Sequence, residues 1–374
     1  MIVAARRTPI GTAGHAFKDR TAEDLAATVI AAVAGDLATP VIAAVAGDAR
    51  VDDVVLGNCM GPGGNLARVS ALAAGLGHEV PGLTVDRQCG SGLAAILVAG
   101  QAVAAGEMDV VIAGGVESAS TAPLRTHPGA AGPYARAPFT PRGRPDPDMG
   151  PAAEALAVKY GISRERQDAY AIESHAKALA ADFGREIVPI GGRERDERPR
   201  VLRAASLARL PAAFVPGGTV TAGNSSPISD GAAAVMLVRE QAGVPGLRLV
   251  AGAVAGCDPE LPGWGPVPAV ERVLARAGVG IGQVAAVEIV EAFAAQVLAV
   301  TDALGLDPLG ADRDRVCAGG GALALGHPWG ASGAIAVTRL FTRLTGHGVA
   351  RGTLGLAAAA VGGGLGVAAL FEVV

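Results

Sequence analysis

Two stretches far apart in the chain read alike. Cys89-Gly-Ser-Gly-Leu-Ala-Ala-Ile lies in the first third, and Gly330-Ala-Ser-Gly-Ala-Ile-Ala-Val lies near the end. Each opens a long apolar helix. A repeat at that separation constrains the fold more than local propensity does, because it implies a supersecondary unit used twice. It predicts two similar α/β halves that face each other, with a site between them.

The texture around the repeats agrees. Asp53 to Leu56 reads as a short apolar strand, and Leu66 to Gly75 as a helix. Leu83 to Val85 is a strand leading into Cys89. Gly92 to Ala105 is an apolar helix. Val110 to Ala113 is a further strand, ended by Gly114-Gly115. Strands alternating with helices give the α/β class, with helices covering a sheet. From about Ala119 to Arg209 prolines and charges cluster, with helical periodicity over Ala152 to Asp182 between the clusters. This predicts an inserted, loop-rich lobe, with α/β texture returning after Thr219. A shorter repeat, VIAAVAGD at Val29 to Asp36 and Val41 to Asp48, reads as a local duplication that lengthens a surface helix or loop. With 374 residues the chain exceeds a single core, so two or more packed units are expected. Its 54 glycines and 3% aromatic content mean that close backbone packing replaces bulky side chains.

Several function classes drop out. Thirty-one basic residues against 35 acidic leave a net charge of −4, which offers neither a nucleic-acid surface nor a polybasic membrane patch. The opening MIVAARRTPIG lacks an apolar core followed by a cleavage site, so it is not read as a secretory signal. Leu354 to Phe371 is apolar enough to raise the question of a membrane helix. Its Gly362-Gly-Gly run and its lack of basic anchors favour a buried strand–turn–strand. Cys59, Cys89, Cys257 and Cys317 form no C-x-x-C pair, so no metal is expected, and a reducing cytoplasm is.

The candidate chemistry sits on two residues. Cys89 lies in Asp86-Arg-Gln-Cys-Gly-Ser-Gly, between a strand and a helix. The helix dipole and neighbouring N–H groups there favour a thiolate. His327 lies in a glycine-rich loop just before a proline, a setting in which an imidazole can activate a thiol. The other five histidines have no such setting and read as structural. Val361-Gly-Gly-Gly-Leu-Gly has the look of a phosphate or oxyanion loop, and equally of a tight turn between two buried strands.

Over nearly its whole length the sequence resembles the thiolase family. The resemblance rests on Arg7-Thr-Pro-Ile-Gly, on Gly82 to Gly92 around Cys89, and on Gly114-Gly-Val-Glu-Ser. It continues through Thr219-Val-Thr-Ala-Gly-Asn-Ser-Ser-Pro-Ile-Ser-Asp-Gly, Gly265-Pro-Val-Pro-Ala, Glu291-Ala-Phe-Ala-Ala-Gln and Gly326-His-Pro. It implies a thiolase fold: two βαβαβαββ halves in a five-layer α-β-α-β-α arrangement, with an inserted loop domain. The halves would be residues 1–117 with 228–245, and 246–374; the loop domain would be 118–227. It implies an acyltransferase acting on an acyl-CoA or acyl-carrier thioester, with coenzyme A as part of the substrate and no separate cofactor. A homodimer is implied too, and the short stretch from Pro123 to Met149 favours a dimer over a tetramer. By the same resemblance Cys89 would be acylated and His327 would activate it. The N–H groups of Cys89 and Gly362 would hold the thioester oxygen. Ser226, with Ala222 and Gly223 in its segment, would lie along the pantetheine arm.

Two departures from the family pattern bear on the reaction. The family's second catalytic cysteine is replaced by Ala360, and the Asn of its Asn-Glu-Ala-Phe motif by Val290. An alanine methyl accepts no proton, so the base for the acceptor's α-carbon is missing, a loss that commonly costs ~10²–10⁴-fold. Val290 cannot orient a water in the acceptor's oxyanion hole. Cys257 and Cys317 are not expected to stand in. Pro262, Trp264 and Trp329 together suggest a reshaped acyl pocket. The leading expectation is Claisen-type carbon–carbon bond formation or cleavage, with a decarboxylative donor as one route. The alternatives are transfer to an oxygen, nitrogen or water nucleophile, and a non-catalytic homologue that binds coenzyme A.

Overall fold

In the computed structural model the described residues are 1–39, 42, 50–134, 136–240, 244–346 and 348–374. The strands are β1 (Ile2–Arg7), β2 (Gly11–Thr12), β3 (Asp53–Gly57), β4 (Leu83–Val85), β5 (Val110–Ser118), β6 (Ser229–Val238), β7 (Leu247–Gly256), β8 (Val284–Ile289), β9 (Leu354–Val361) and β10 (Leu365–Val373). They run in the order β4-β3-β5-β6-β1-β7-β10-β9-β8, with β2 on β6. The path crosses from β1 to β7 through the single pair Ile2–Leu247.

That joint is the centre of a repeat. Outward from it, one half runs β1-β6-β5-β3-β4 and the other β7-β10-β9-β8. In both, the outer pairs β3–β5 and β8–β9 are parallel and the inner pairs are antiparallel. Val316 bridges Val287 of β8 in parallel, in the place that β4 takes beside β3. The two sequence repeats follow these corresponding positions, as α3 (Ser91–Ala104) and α10 (Trp329–Leu344).

The remaining helices are α1 (Ala22–Gly35), α2 (Leu66–Ala73), α4 (Met149–Tyr160), α5 (Arg164–Ala180), α6 (Ala204–Leu207), α7 (Pro266–Ala277), α8 (Ala294–Ala303) and α9 (Ala322–Leu325). Strand alternation sorts the core into layers. On β6, Ala233, Val235 and Leu237 face α3 and α10, while Ala232, Met236 and Val238 share a cluster with α1 and α2. On β10, Val367, Ala369 and Phe371 face the same central helices, and Ala368 and Leu370 meet α7 and α8. The stack is α1/α2, sheet, α3/α10, sheet, α7/α8, the five-layer order the resemblance implies. No helix among the described residues is long and apolar enough to cross a membrane.

Small residues set the central spacing. A Cβ on Gly92 would lie 2.8 Å from the Gly330 carbonyl oxygen, and one on Gly333 would lie 2.6 Å from the Leu93 nitrogen. The same crowding explains one difference from the sequence expectation. Strand β5 does not stop at Gly114-Gly115 but runs on to Ser118. Both glycines are strand residues, because a Cβ on Gly115 would meet the Gly330 oxygen at 2.0 Å and one on Gly114 the Ala233 oxygen at 2.0 Å. The periodic stretch Ala152 to Asp182 is two helices, α4 and α5, divided by Gly161 at φ +64 and by the Ser163 N-cap. The first VIAAVAGD copy lies on α1, an outer-layer helix that buries Val29, Ile30 and Val33 and leaves Ala31 and Gly35 exposed. The second copy lies outside the described residues apart from Ile42.

Residues 119–228, between β5 and β6, carry α4, α5 and α6. Arg7 ties this lobe to β1: its Nε donates to Glu186 at 2.7 Å and its guanidinium forks onto Asp196 at 2.7 and 2.9 Å. The fork-on-fork geometry gives a buried pair with little freedom to slip.

Candidate active site

Cys89 sits in a sharp turn, Gln88–Gly90, between β4 and α3. Gln88 has φ +44, a left-handed conformation rare outside glycine. Three side-chain bonds hold it. Asp86 Oδ1 accepts from the Gln88 N–H at 2.9 Å. Ser91 Oγ accepts from the Arg87 N–H at 2.7 Å and donates to the Gln88 carbonyl at 2.6 Å. The turn presents Cys89 to a cavity of about 640 Å³ at the junction of the two halves.

The expected thiolate is not what this environment favours. Burial pushes the Cys89 thiol up to about 12, with Glu117 next in effect and Asp86 adding, against one backbone N–H that lowers it. Desolvation outweighs the helix start, so the resting group is the thiol.

His327 reaches the same cavity from the other half. Its N–H donates to the Pro227 carbonyl and Ser229 Oγ, each at 3.1 Å. Gly326 precedes it at φ +122, where a Cβ would meet Ser229 Oγ at 2.4 Å. On the ring, Nδ1 lies 2.7 Å from Ser332 Oγ, whose hydroxyl donates to the Pro328 carbonyl at 2.9 Å. With that proton committed, Ser332 accepts from Nδ1–H, and Nε2 is left as the lone-pair nitrogen. Nε2 has no partner among the described residues, and burial lowers the ring to about 4, so it is neutral at neutral pH.

Gly362 lies in the turn from β9 to β10 and lines the cavity. Phe139 lies against it: a Cβ at Gly362 would stand 2.7 Å from that ring. Only glycine lets the ring cover the loop that closely. Ser226 also lines the cavity, with its hydroxyl and its N–H both donating to the Ala292 carbonyl at 2.8 and 3.0 Å. Ala360, Pro262 and Trp329 are on the wall as well.

Other singled-out residues are elsewhere. Ala222 and Gly223 do not line the cavity; Gly223 is packed under Leu207 and Leu210. Val290 lies behind it, beside Ser332 and Arg339 on a separate small cavity. Trp264 stacks on Tyr160 at 4.2 Å rather than facing substrate space. Cys317 is buried and aimed at the Ile289 carbonyl, and Cys257 at the Asp258 and Leu261 carbonyls.

Sequence reasoning passed over four residues. Cys59 lines the cavity beside Met60. Glu117 is buried behind it and accepts from Asn58 Nδ2 and from the N–H groups of Cys59, Met60 and Gly330. Ser332 orients His327. Gln296 brings a buried amide to the wall. Ser332 and Gln296 stood inside quoted motifs, so the signal was position within a motif. Glu117 also stood inside one, Gly114-Gly-Val-Glu-Ser; Cys59 gave no signal, since only folding brings the loop after β3 beside β5 and α10.

The comparisons with known proteins decide what kind of chain this is. The thiolase N-terminal domain model matches residues 1–241, and the thiolase C-terminal domain model matches residues 245–373. This chain belongs to the thiolase family. A 3-ketoacyl-CoA thiolase of Pseudoalteromonas translucida is 39% identical, over 100% of this chain and 98% of that protein. An acetyl-CoA acetyltransferase of Chromobacterium violaceum is 39% identical, over 99% and 98% respectively. The crystal structure of the Bacillus anthracis acetyl-CoA acetyltransferase superposes with a TM-score of 0.88 at 37% identity, covering 100% of this chain and 98% of that one. The protein is therefore a thiolase-fold acyltransferase, as the sequence resemblance implied.

Proposed function

We propose that the protein forms an acyl-enzyme at Cys89 from an acyl-CoA or acyl-carrier thioester and passes the acyl group on in a Claisen-type reaction. The observation that carries this is a neutral imidazole with an open Nε2 on the same cavity as the Cys89 thiol. As Sγ attacks the thioester carbonyl, its proton passes to Nε2 and the carbonyl oxygen becomes an oxyanion. The N–H groups of Cys89 and Gly362 are the donors assigned to that oxygen. Collapse returns the His327 proton to the departing thiolate and leaves acyl–S–Cys89. The high thiol pKa and low imidazole pKa oppose a preformed ion pair, so proton transfer accompanies attack.

The acceptor half is where this chain departs from its family. Ala360 offers a methyl group on the cavity wall and nothing that removes an α-proton. A carboxylated extender such as a malonyl thioester would not need that base, since loss of carbon dioxide supplies the carbanion. Coenzyme A would enter past Ser226 and the loop domain, residues 118–227, of a cytoplasmic homodimer. The test is incubation with acetyl-, acetoacetyl- and malonyl-CoA, followed by intact mass and product analysis. An acyl adduct absent from Cys89→Ala is expected. Adducts that discharge only to water, alcohols or amines would replace the carbon–carbon reading with heteroatom transfer. No adduct with any thioester would end the acyl-enzyme reading.

A further inference from the structure

Gln296 lies on α8 with 1% of its surface exposed, and it lines the cavity. Neither Nε2 nor Oε1 has a hydrogen-bond partner among the described residues. Buried amides are almost always partnered, so this one calls for an occupant. Its stem rests on Gly263, where a Cβ would stand 3.1 Å from Gln296 Cγ. The same cavity has apolar lining at Pro262, Gly263, Ala292, Phe293 and Ala360. The Ala292 carbonyl already receives both Ser226 donors. The open side from which a partner can reach it is the cavity, and the acyl-transfer steps leave the amide unused.

The chemistry of the wall narrows the choice. A plain alkyl chain would leave both amide edges orphaned. A carboxylate would be desolvated with no cation beside it. Arg136 is committed to Asp146 and Asp148, and Arg125 sits on the Cys59–Gly61 wall, donating to the Gly61 carbonyl. A hydroxyl satisfies either edge, accepting from Nε2–H or donating to Oε1.

We propose that Gln296 determines specificity by reading a hydroxyl group on the acyl chain beyond the thioester carbonyl, which makes hydroxyacyl thioesters the preferred donors. This rests on the acyl-enzyme reading. The reaction exchanges one thioester for another: hydroxyacyl-CoA and the Cys89 thiol give hydroxyacyl–S–Cys89 and free coenzyme A.

The test compares butanoyl-, 3-hydroxybutanoyl- and 4-hydroxybutanoyl-CoA as acylating agents of the full chain, followed by intact mass. One hydroxylated thioester should acylate Cys89 about 10- to 100-fold faster, in kcat/KM, than butanoyl-CoA. In Gln296→Met, an unbranched apolar replacement, that ratio should collapse to within about threefold of unity. A wild type that acylates equally with all three overturns the inference without any variant and leaves the acyl-enzyme reading standing. A Gln296→Met protein in which all rates fall together, with the ratio kept, shows that the amide serves only the fold or a trapped water, and also overturns it. Failure of every thioester to label Cys89 overturns this inference and the acyl-enzyme reading together.

Discussion

If Ala360 leaves the acceptor without a base, as proposed, a cysteine placed at position 360 should supply part of that proton chemistry. The site has room for it. Ala360 pairs across the β9–β10 hairpin with Gly366, which has no side chain, and its own methyl faces the cavity. A well-placed general base contributes ~10²–10⁴-fold, or about 2.7–5.4 kcal/mol at the transition state. The local environment argues for the lower end. Burial raises Cys89 to about 12 and Cys257 to about 11, and a thiol at 360 would share the desolvated cavity with Cys89. A base so far from working pH is only fractionally ionised, so Ala360→Cys should increase acetoacetyl-CoA cleavage by about 100-fold. Val290→Asn added to it should do little, because residue 290 lies behind the wall beside Ser332 and not on the cavity. The assay is loss of acetoacetyl-CoA absorbance on addition of coenzyme A, with thermal melting to show that the variant is folded. Wild-type turnover near the ordinary enzymatic ~10 s⁻¹ would refute the reasoning, since another group would then be supplying the proton chemistry.

Four further outcomes follow from the site. Alkylation of Cys89 by iodoacetamide should keep accelerating with pH beyond 10; a plateau near pH 7 would mean that the thiolate is preformed after all. His327 is lowered from 6.5 to about 4 by burial, so the unfolded chain binds its proton first as pH falls. Stability should therefore drop from pH 6.5 toward 4 by up to about 3 kcal/mol from this residue, and urea titrations of His327→Gln should show a shallower acid slope. Glu117→Ala removes the acceptor of four buried donors and should cost on the order of 3–5 kcal/mol in denaturant unfolding; a change below 1 kcal/mol would show that the β3 loop and α10 hold their places without it. Cys257→Ala and Cys317→Ala should leave turnover nearly unchanged, and a loss above ~100-fold in either would identify a recruited thiol.

The sequence by itself determined the architecture and named Cys89 and His327 as the candidates for chemistry. Repeated apolar helices after Cys89 and His327 implied two matching halves, because periodicity and turn residues act locally and survive without coordinates. The Gly362 run read correctly as a turn between buried strands. What only the tertiary structure decided was the environment of each group. A helix start argued for a Cys89 thiolate, but the surrounding protein removes water from the thiol, and desolvation cannot be read from neighbours in sequence. The tautomer of His327 depends on where the Ser332 proton goes, which is set by the first turn of α10. Val290 and Ala360 look equivalent as altered motif positions, yet one is behind the wall and the other on it. Gly114 and Gly115 read as a strand end, and only the backbone of Gly330 passing close by shows why the strand needs them. Long-range contacts between β5, α3 and α10 made those distinctions, and no local pattern encodes them.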